Sequence, residues 1–342
     1  MFTVTNAGFF TTIQDEGRWG YQAFGMPVAG AMDRYAYRVA NLLAGNKTGA
    51  AVIEMTLLGA AFKFDSDLLI AICGADMQAK LDGAAVSNWS GFWVKRGSEL
   101  KFDYAQTGCR AYMAVHGGID VPSVLGSRST YTRAKVGGLQ GRALLPGDTL
   151  AAGEDGEAAP LPRLLPPSYM PPCEQNIELR VLLGPQDDMF TAEAITAFFQ
   201  NPYSVTDEAD RMGYRLEGEK IAHSGKADII SDALCFGAIQ IPAHGMPIVM
   251  MADRQTTGGY AKIGTVIGPD LRKLAQAKPG DTVRFRQVDD AAAVAALREE
   301  RQIYLQIAEA FRGAAQPGLS AGRSLRLSVN GAAYRVKIEE IL

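Results

Sequence analysis

The polar side chains best suited to chemistry lie in residues 248–266, which read IVMMADRQTTGGYAKIGTV. A short apolar run ends in an acid, a cation and an amide, and two hydroxyls, a glycine pair, an aromatic ring and a second cation follow. Glycine lets the backbone approach a ligand closely. This mixture fits a site for a small polar substrate, and a polar hairpin tip is the open alternative. The candidate residues here are Asp253, Arg254, Gln255, Thr256, Thr257, Gly258, Tyr260 and Lys262.

Three further segments carry a similar mixture of side chains: TTIQDEGRWG at 11–20, GSRST at 126–130 and DRMG at 210–213. Arginine binds carboxylate or phosphate through two parallel hydrogen bonds, although a structural salt bridge is an equally open role for each arginine. Packing does not require distant polar turns to meet, so a shared groove would indicate one site. The candidates from these segments are Gln14, Asp15, Arg18, Arg128, Ser129 and Arg211.

The sequence lacks the motifs of several self-contained enzymes. It contains no GxxxxGK[ST] phosphate loop and no HExxH. Its three histidines are not spaced for a two-histidine metal grip, and its four cysteines are scattered without a CxxC pair. We therefore predict no metal site and no disulfide framework. A nucleotidase or metallohydrolase acting alone is disfavoured.

Composition favours a soluble, cytoplasmic globular protein. The 342 residues are 47% hydrophobic and 21% charged, which is ordinary for such proteins. A formal net charge of −3 offers no basic surface to nucleic acid or to an anionic membrane. The N-terminus, MFTVTNAGFF, does not resemble a signal peptide, and no apolar run approaches the ~20 residues of a membrane helix. We predict neither nucleic acid nor membrane as a partner.

Most of the chain is predicted to form short strands. Apolar or alternating runs are bounded by Gly, Pro, Asp or Asn, and a glycine turn that leads into an alternating strand recurs, as in an all-β barrel. The predicted strands lie at 68–73, 91–94, 100–104, 111–115, 179–183 and 283–285.

Three segments favour helices. Residues 32–43 carry an apolar stripe and begin near Asp33, and residues 191–199 begin after Thr191, a favourable N-cap. Residues 289–312 are rich in Ala, Leu, Glu and Arg and predict a solvated amphipathic helix.

A proline-rich stretch at 151–176 divides the chain. Proline fixes φ and removes a backbone donor, so we predict a connector here rather than a core element. The predicted organisation is a first lobe at 1–150, whose residues 1–60 can pack with either lobe, then this connector, a second lobe at 177–288, and a helix with a C-terminal hairpin at 289–342.

The C-terminal tail alternates apolar and polar residues on both sides of Asn330-Gly331, which predicts a hairpin. The sequence LRLSVNGAAYRVKIEEI resembles the opening strands of a biotinyl carrier domain. No lysine-bearing AMKM-like turn follows before Leu342, so we expect no biotin on this chain. A small hairpin packed on the second lobe or on a partner is the alternative.

Nine motifs stand in order along the chain: TTIQDEGR (11–18), GMPVAGAMD (25–33), NLLAGN (41–46), IEMTLLG (53–59), GGIDVPSVLGSRST (117–130), GPQDDMF (184–190), DRMGYRLEG (210–218), GAIQIP (237–242) and ADRQTTGGYAKIGTVIGPDL (252–271). Together they resemble the family of 5-oxoprolinase C subunits, also called allophanate hydrolase subunit 2, KipI antagonist or biotin-dependent carboxyltransferase family. The resemblance covers roughly residues 2–287. It leaves the substrate open, because the family spans several activities.

The resemblance implies a mainly β fold with two cyclophilin-like β-barrel lobes and a few helices. It also implies one component of a prokaryotic ATP-dependent 5-oxoprolinase, which works with a KipI-like B subunit and a LamB/YcsF-like A subunit. That assembly opens 5-oxo-L-proline to L-glutamate, with ATP bound at the assembled complex. The single chain is expected to be inert.

A plausible route phosphorylates the ring amide oxygen and then lets water attack, so that charge developing on oxygen needs preorganised donors. On this hypothesis Asp253 or Asp15 is the general base, and Lys262 contacts phosphate or carboxylate. The charge clamps would be Arg18, Arg211 and Arg254, and the orienting donors would be Gln14, Gln255, Thr256 and Thr257.

Two other functions stay open. The chain would be a carboxyltransferase component if a separate carrier supplied carboxybiotin, as similar domains work inside urea carboxylase. It would be a non-catalytic antagonist if it bound a KipI-like inhibitor of a sporulation kinase.

Overall fold

The computed structural model describes residues 1–153, 161–314, 323–329 and 332–338. The N-terminal strands are β1 (Phe2–Asn6), β2 (Phe10–Gln14), β3 (Val52–Thr56), β4 (Ala61–Phe64), β5 (Leu68–Asp76), β6 (Lys80–Leu81), β7 (Ala84–Ala85), β8 (Ser90–Val94), β9 (Glu99–Lys101), β10 (Thr107–Val115), β11 (Ile119–Asp120) and β12 (Thr149–Ala152). The C-terminal strands are β13 (Asn176–Leu183), β14 (Tyr203–Val205), β15 (Gly213–Gly218), β16 (Asp228–Ala233), β17 (Ala238–Gln240), β18 (Ile248–Met250), β19 (Thr257–Tyr260), β20 (Lys262–Val266), β21 (Thr282–Gln287), β22 (Arg323–Val329) and β23 (Ala332–Ile338). The helices are α1 (Arg34–Ala44), α2 (Ala192–Gln200), α3 (Leu271–Ala275) and α4 (Asp290–Ala314).

The N-terminal half forms two antiparallel sheets that share one core. One sheet has the order β11-β12-β1-β4-β9-β6-β7 and the other the order β2-β3-β10-β5-β8. Successive side chains of a strand point to opposite faces, so each sheet sends alternate residues inward. Phe2 and Phe62 of the first sheet meet Ile53 and Met113 of the second in one buried cluster. The predicted mainly β architecture is confirmed, and in this half it takes the form of two stacked sheets.

Helix α1 covers the outer face of the second sheet. The carboxylate of Asp33 caps it by accepting a hydrogen bond from the backbone nitrogen of Ala36 at 3.0 Å, which confirms the predicted helix start. Val39 and Leu43 of α1 pack in one cluster with Ile307 of α4. None of the helices in the described ranges is long and apolar enough to span a membrane.

The C-terminal half forms a closed barrel in the order β13-β20-β17-β18-β15-β14-β21. The ring closes through a parallel pair, in which Asn176 of β13 lies opposite Thr282 of β21. Helix α2 begins after Thr191, whose side chain accepts a hydrogen bond from a first-turn backbone nitrogen as predicted. Phe198 of α2 stacks on Phe285 of β21, with ring centroids 4.4 Å apart, so the helix seals the barrel beside its closing strands.

Two strand pairs lie outside these layers. Strands β16 and β19 pair only with each other and form a ribbon beside the barrel. Strands β22 and β23 form the predicted C-terminal hairpin, with Val329 opposite Ala332. The predicted turn at 330–331 lies outside the described residues.

Part of the proline-rich stretch packs into the core, contrary to the prediction of a connector without core residues. Leu165 is completely buried in the cluster that α1 forms with the second sheet and α4, and its backbone nitrogen donates to the Trp89 carbonyl at 2.9 Å. The Tyr169 carbonyl accepts a hydrogen bond from the Tyr35 hydroxyl at 2.6 Å. The prolines exclude regular structure but do not prevent Leu165 from being buried, whereas Leu161 and Leu164 are exposed. Residues 154–160 lie outside the described part of the chain.

A glutamine side chain joins the two halves at a break in strand pairing. The register of β10 against β5 shifts between Thr107 and Ala111. There the Gln276 carbonyl oxygen accepts from the backbone nitrogens of Cys109 and Arg110, both at 3.0 Å. Its amide nitrogen donates to the Arg110 carbonyl at 3.0 Å. The side chain therefore satisfies the backbone groups that a neighbouring strand would otherwise bond.

The halves also share side chains directly. Met32, from the loop before α1, is 1% exposed and belongs to the hydrophobic core of the barrel. Arg110 of β10 donates to the Tyr214 hydroxyl and to the Ala275 carbonyl, both at 2.6 Å. These contacts fix how the barrel sits on the stacked sheets.

We predict that Gln276→Ala lowers the free energy of unfolding by about 2–4 kcal/mol, because it leaves two backbone N–H groups of β10 without acceptors. Urea denaturation followed by circular dichroism measures the loss. Gln287→Ala, at an exposed position on β21, is the matched control and should leave the midpoint unchanged. Equal midpoints for both variants would show that the Gln276 contacts contribute nothing to stability.

Candidate functional site

Arg211 brings two of the predicted polar segments together. Its Nε and Nη2 donate to the two carboxylate oxygens of Asp253 at 3.0 and 2.9 Å. Nη1 donates to Glu54 of β3, and Nη2 also donates to the Gly30 carbonyl at 2.7 Å. Burial opposes the charged form, but Asp253 and Glu54 outweigh it and raise the pKa of Arg211. The arginine therefore stays charged and fastens the barrel to the N-terminal half.

Glu54 is a site residue that was not predicted from the sequence. It lies on a strand whose residues are all buried, and its second oxygen accepts from the Tyr112 hydroxyl at 2.8 Å and the Met32 backbone nitrogen at 2.9 Å. A lone glutamate in the apolar motif IEMTLLG was the available signal, because a buried carboxylate requires a partner.

Asp15 joins the first polar segment to the segment at 126–130. Its carboxylate accepts hydrogen bonds from the hydroxyls of Ser127 and Ser129 and from the backbone nitrogen of Arg128. The backbone nitrogen of Gly17 is a fourth donor at 2.8 Å. With four donors the carboxylate is fully engaged, so a role as general base would require some of these bonds to break.

The Arg128 side chain turns away from this cluster. Its Nε donates to the Val121 carbonyl at 2.8 Å, and a terminal nitrogen lies 3.7 Å from the exposed carboxylate of Asp120. The structure therefore does not bring Arg128, a predicted substrate contact, to the other arginines.

Arg18 lies between the first and last polar segments. It is completely buried, donating from Nε to the Val124 carbonyl at 3.0 Å and from Nη2 to the Ser129 carbonyl at 2.8 Å. Burial lowers the pKa of Arg18, while the charges of Asp15 and Asp253 oppose that shift. Its Nη1 is buried without a hydrogen-bond partner among the described residues. A buried donor of this kind usually meets an ordered water or a ligand group.

The Gln14 side chain also has a buried polar atom without a hydrogen-bond partner among the described residues. Its amide nitrogen donates to the Thr12 hydroxyl at 3.0 Å and the Thr130 carbonyl at 3.1 Å, while its carbonyl oxygen is buried and accepts no hydrogen bond from the described residues. Gln255 likewise has a buried carbonyl oxygen with no donor in the same part of the chain. The predicted residues thus include one unmet donor and two unmet acceptors.

Arg254 shares an aromatic ring with a second arginine that was not predicted as a site residue. The guanidinium of Arg254 lies 5.6 Å from the ring centre of Phe236, and that of Arg34 lies 4.9 Å from the same centre. Arg254 donates to the carbonyls of Leu234 and Met251 at 3.1 and 3.2 Å. Burial lowers the pKa of Arg254 to about 10, and Arg34 contributes to the lowering.

Neither of these two arginines bonds a carboxylate within the described residues. Arg34 contacts Trp19 as well as Phe236, with its guanidinium 5.4 Å from the Trp19 ring centre, and burial lowers the pKa of Arg34 despite the charge of Glu16. Glu16 is held in a two-pronged pair with Arg38 at 2.8 and 2.9 Å. Two guanidiniums on one ring, with open donors, have the chemistry that suits a carboxylate or a phosphate.

Lys262 does not have the open ammonium that its predicted role requires. The residue is 5% exposed, and its ammonium donates to the Asp232 carboxylate and to the Ala233 carbonyl, the latter at 3.1 Å. It ties the β16–β19 ribbon to the barrel. As a contact for phosphate or carboxylate it would first have to release Asp232.

The remaining predicted residues lie on or before the same ribbon. The Thr256 carbonyl accepts from the Leu234 backbone nitrogen at 3.0 Å. Thr257 and Tyr260 are exposed on β19 and Gly258 is half-buried. No contact among the described residues joins these three to the Arg211 network.

A cleft of about 470 Å³ between the two halves opens onto the Arg211 network. Arg211 and Asp253 line it, together with Arg110, and Phe9 and Thr56 contribute from the N-terminal half. The Thr56 hydroxyl is buried without a hydrogen-bond partner in the described ranges. Burial raises the pKa of Asp253, and contact with Arg211 opposes the rise. Asp207, Asp210 and Arg133 line the cleft as well. The cleft therefore places three carboxylates, three guanidiniums and an unmet hydroxyl around one space.

The predicted segments meet in two pairs, through Arg211–Asp253 and through Asp15–Ser129. The cleft at Arg211 is lined by no residue of the segments at 11–20 and 126–130, so one groove shared by all of them stays a prediction. Within the described ranges, no group of three or more His, Cys, Asp or Glu residues is arranged to hold a metal ion.

Comparison with known proteins places these features in a family. The carboxyltransferase domain family, subdomain A and B, matches residues 24–287. The C subunit of 5-oxoprolinase from Escherichia coli strain K12 is 37% identical over 314 residues, covering 90% of this chain and 98% of that protein. The urea amidolyase of Saccharomyces cerevisiae is 36% identical over 299 residues, covering 82% of this chain and 16% of that protein.

Solved structures of urea amidolyase and of TTHA0988 also resemble this chain in fold and sequence. The crystal structure of K. lactis urea amidolyase has a TM-score of 0.85 at 30% identity and covers 90% of this chain and 20% of that one. The crystal structure of TTHA0988 has a TM-score of 0.75 at 33% identity and covers 83% of this chain and 55% of that one. The resemblance inferred from the nine motifs is confirmed: this chain belongs to the carboxyltransferase domain family that includes the 5-oxoprolinase C subunits.

Proposed function

We propose that this chain is the C subunit of an ATP-dependent 5-oxoprolinase that opens 5-oxo-L-proline to L-glutamate. The observation that carries the proposal is the match along almost the whole of two proteins named as 5-oxoprolinase C subunits, which this chain covers to 98% and 93% of their length. The same unit covers only 16% of the S. cerevisiae urea amidolyase. The match is therefore nearly end to end for the 5-oxoprolinase C subunits and partial for the larger enzyme.

The proposed partners are a KipI-like B subunit and a LamB/YcsF-like A subunit, with ATP bound at the cytoplasmic assembled complex. Related structures support the need for partners. The region that matches this chain makes up 20% of the K. lactis urea amidolyase chain and 55% of the TTHA0988 chain. In those relatives the unit therefore works beside other segments, which supports partners for this chain.

Within this proposal, the two guanidiniums at Phe236 supply the charge clamp. A phosphorylated amide and the carboxylate of 5-oxo-L-proline are both anions, and each suits a pair of open arginine donors. Arg254 and Arg34 have such donors, whereas Arg211 uses its nitrogens on Asp253, Glu54 and a backbone carbonyl. Arg211 therefore positions the site, and the clamp falls to Arg254 with Arg34.

The base is assigned to Asp253 in preference to Asp15. Asp253 lines the open cleft, while the Asp15 carboxylate is enclosed by four donors from its own loop and the segment at 126–130. A base must reach the water that it activates, and the cleft gives Asp253 that access. Both Asp253 oxygens also accept from Arg211, so one of these two bonds has to give way when Asp253 acts as the base.

A carboxyltransferase acting with a separate carboxybiotin carrier is the second candidate function. The 36% identity to a urea amidolyase over 299 residues favours it. The arginine pair would then hold a carboxylate in transfer. To separate the two functions, the purified complex is given either a carboxybiotin carrier with urea or 5-oxo-L-proline with ATP. The substrate that is consumed identifies the function.

The purified single chain should neither hydrolyse ATP nor open 5-oxo-L-proline, because its sequence contains no phosphate-binding loop. Phosphate release and glutamate formation are measured with the chain alone and after the KipI-like and LamB/YcsF-like subunits are added. Oxoproline-dependent ATP hydrolysis by the chain alone would overturn the expected division of labour between the components.

Arg254→Gln should lower kcat of the assembled enzyme by about 100-fold, on the scale of losing one donor to developing charge. The matched control is Arg163→Gln. Arg163 also lies over an aromatic ring, 5.1 Å from the centre of Phe311, and also donates to a carbonyl, but within the described residues it has no second arginine on its ring. Near-normal turnover of Arg254→Gln in an intact complex would favour the antagonist function.

Arg211→Met should destabilise the chain by about 3–5 kcal/mol at neutral pH, because it leaves buried carboxylates unpaired. Without Arg211 the pKa of Asp253 rises further, so the folded state holds a proton that the unfolded state releases. The loss should therefore be smallest in acid and grow as pH rises through the raised pKa of Asp253. Urea midpoints over a pH series measure it. Arg215→Met removes an exposed pair with Glu208 and is the control; a pH-independent loss for Arg211→Met would contradict this account.

A further inference from the structure

A second cavity between the two halves contains none of the predicted site residues. Its volume is about 310 Å³, and its walls come from the N-terminal half, from the connector around Cys173, and from α3 with the segment that follows it. Gln276 lines this cavity, while Arg110, to whose backbone it bonds, lines the cleft of the Arg211 network. The Gln276 contact therefore separates two distinct spaces.

Two cations that line this cavity bond no carboxylate within the described residues. The Arg272 guanidinium lies 4.7 Å from the Tyr35 ring centre, and its Nε is buried with no acceptor in that part of the chain. The Lys278 ammonium likewise has no bond there, since only its backbone nitrogen contacts Asp281, at 2.8 Å. The third lining cation, Lys273, is engaged with the Glu178 carbonyl at 2.9 Å.

Two of the acids in the same walls are already committed. Asp33 accepts from the α1 backbone at 3.0 Å and from the Gln276 amide at 2.8 Å, and Asp281 accepts from the Lys278 backbone. Glu174 is the remaining lining acid, and it is exposed. Arg272 and Lys278 are therefore the lining cations without a hydrogen-bonded acid among the described residues, and the Arg272 charge also acts at longer range on Asp33 and Glu300.

An aromatic wall completes the cavity. Trp89 is 8% exposed and lines it, with its ring centre 6.1 Å from that of Tyr35. Its φ of +58° lies in the left-handed region, which a bulky side chain rarely adopts and which costs about 1–3 kcal/mol. Asn88 supports this conformation by accepting from the Trp89 backbone nitrogen at 2.9 Å. Residues held in this way cluster at ligand sites.

We propose that this cavity binds a small carboxylic acid, with its carboxylate on Arg272 and Lys278 and its carbon body against Trp89. A volume of about 310 Å³ stands at the lower end of ligand pockets, which span roughly 300–1,000 Å³. An apolar wall opposite two cations suits an organic acid better than inorganic phosphate. The inference does not depend on the oxoprolinase activity, because it concerns binding to the chain itself.

Two exposed cysteines allow the test on the full chain. Cys173 lines this cavity and Cys235 lies beside Arg254, whereas Cys73 and Cys109 are buried. Iodoacetamide labelling of each thiol is followed by peptide mass spectrometry, with 5-oxo-L-proline, L-glutamate or inorganic phosphate added. We expect at least one of the two organic acids to slow labelling of Cys173, and phosphate to leave its rate unchanged.

Arg272→Gln and Lys278→Gln should each weaken protection of Cys173. The organic acid concentration needed for protection should rise by about tenfold or more, because each variant loses one charge-assisted hydrogen bond to the carboxylate. Arg286→Gln, which removes an exposed pair with Glu178, should not change it. If Arg272→Gln fails to fold, Lys278→Gln decides alone.

Several results would overturn the proposal. They are an unchanged Cys173 rate with both acids, protection of Cys235 alone, equal protection by phosphate, and full protection in the Lys278 variant. Because the assay uses neither ATP nor other subunits, its failure leaves the proposed oxoprolinase function untouched, and an inactive complex leaves this binding result untouched.

Discussion

The buried guanidinium of Arg211 holds the molecule together at the point where its two halves meet. Removing one cation and two carboxylates from water costs several kcal/mol per ion and is tolerated only when geometry is good and the remaining donors are used. Arg211 meets that condition by bonding Asp253, Glu54 and the Gly30 carbonyl. The requirement for all of these partners at once fixes the barrel relative to the stacked sheets. It thereby fixes the distance between polar segments that are far apart in sequence.

Local signals in the sequence were sufficient for many elements and insufficient for their assembly. Asp33 and Thr191 begin helices as predicted, because capping depends only on neighbouring backbone groups. The strand predicted at 100–104 ends at Lys101 instead, and beyond it the pairing continues only through single contacts, from the Phe102 backbone nitrogen to the Ala60 carbonyl and in a bridge between Tyr104 and Leu58. Such a long-range pairing leaves no trace in local alternation.

The candidate site also depends on long-range contacts that the local sequence does not reveal. The polar character of Arg254 and Lys262 was visible in the sequence, but their partners were not. Lys262 is occupied by Asp232 of the ribbon, and Arg254 gains a neighbour from α1 through Phe236. Whether a charged side chain is open or occupied depends on which residues tertiary packing brings to it. Identical residue types therefore serve as structural ties in one place and as open receptors in another.

Met32 has a consequence for the order in which the protein assembles. Its side chain belongs to the barrel core, yet the barrel closes only when β21 joins β13 in parallel, with Thr282 opposite Asn176. On a ribosome, the segment around Met32 therefore emerges long before the core that buries it exists. Contacts between residues so distant in the chain form late and slowly. Until then the Met32 side chain of the N-terminal half stays exposed to solvent. Folding of the N-terminal half is therefore complete only after almost the whole barrel has been synthesised.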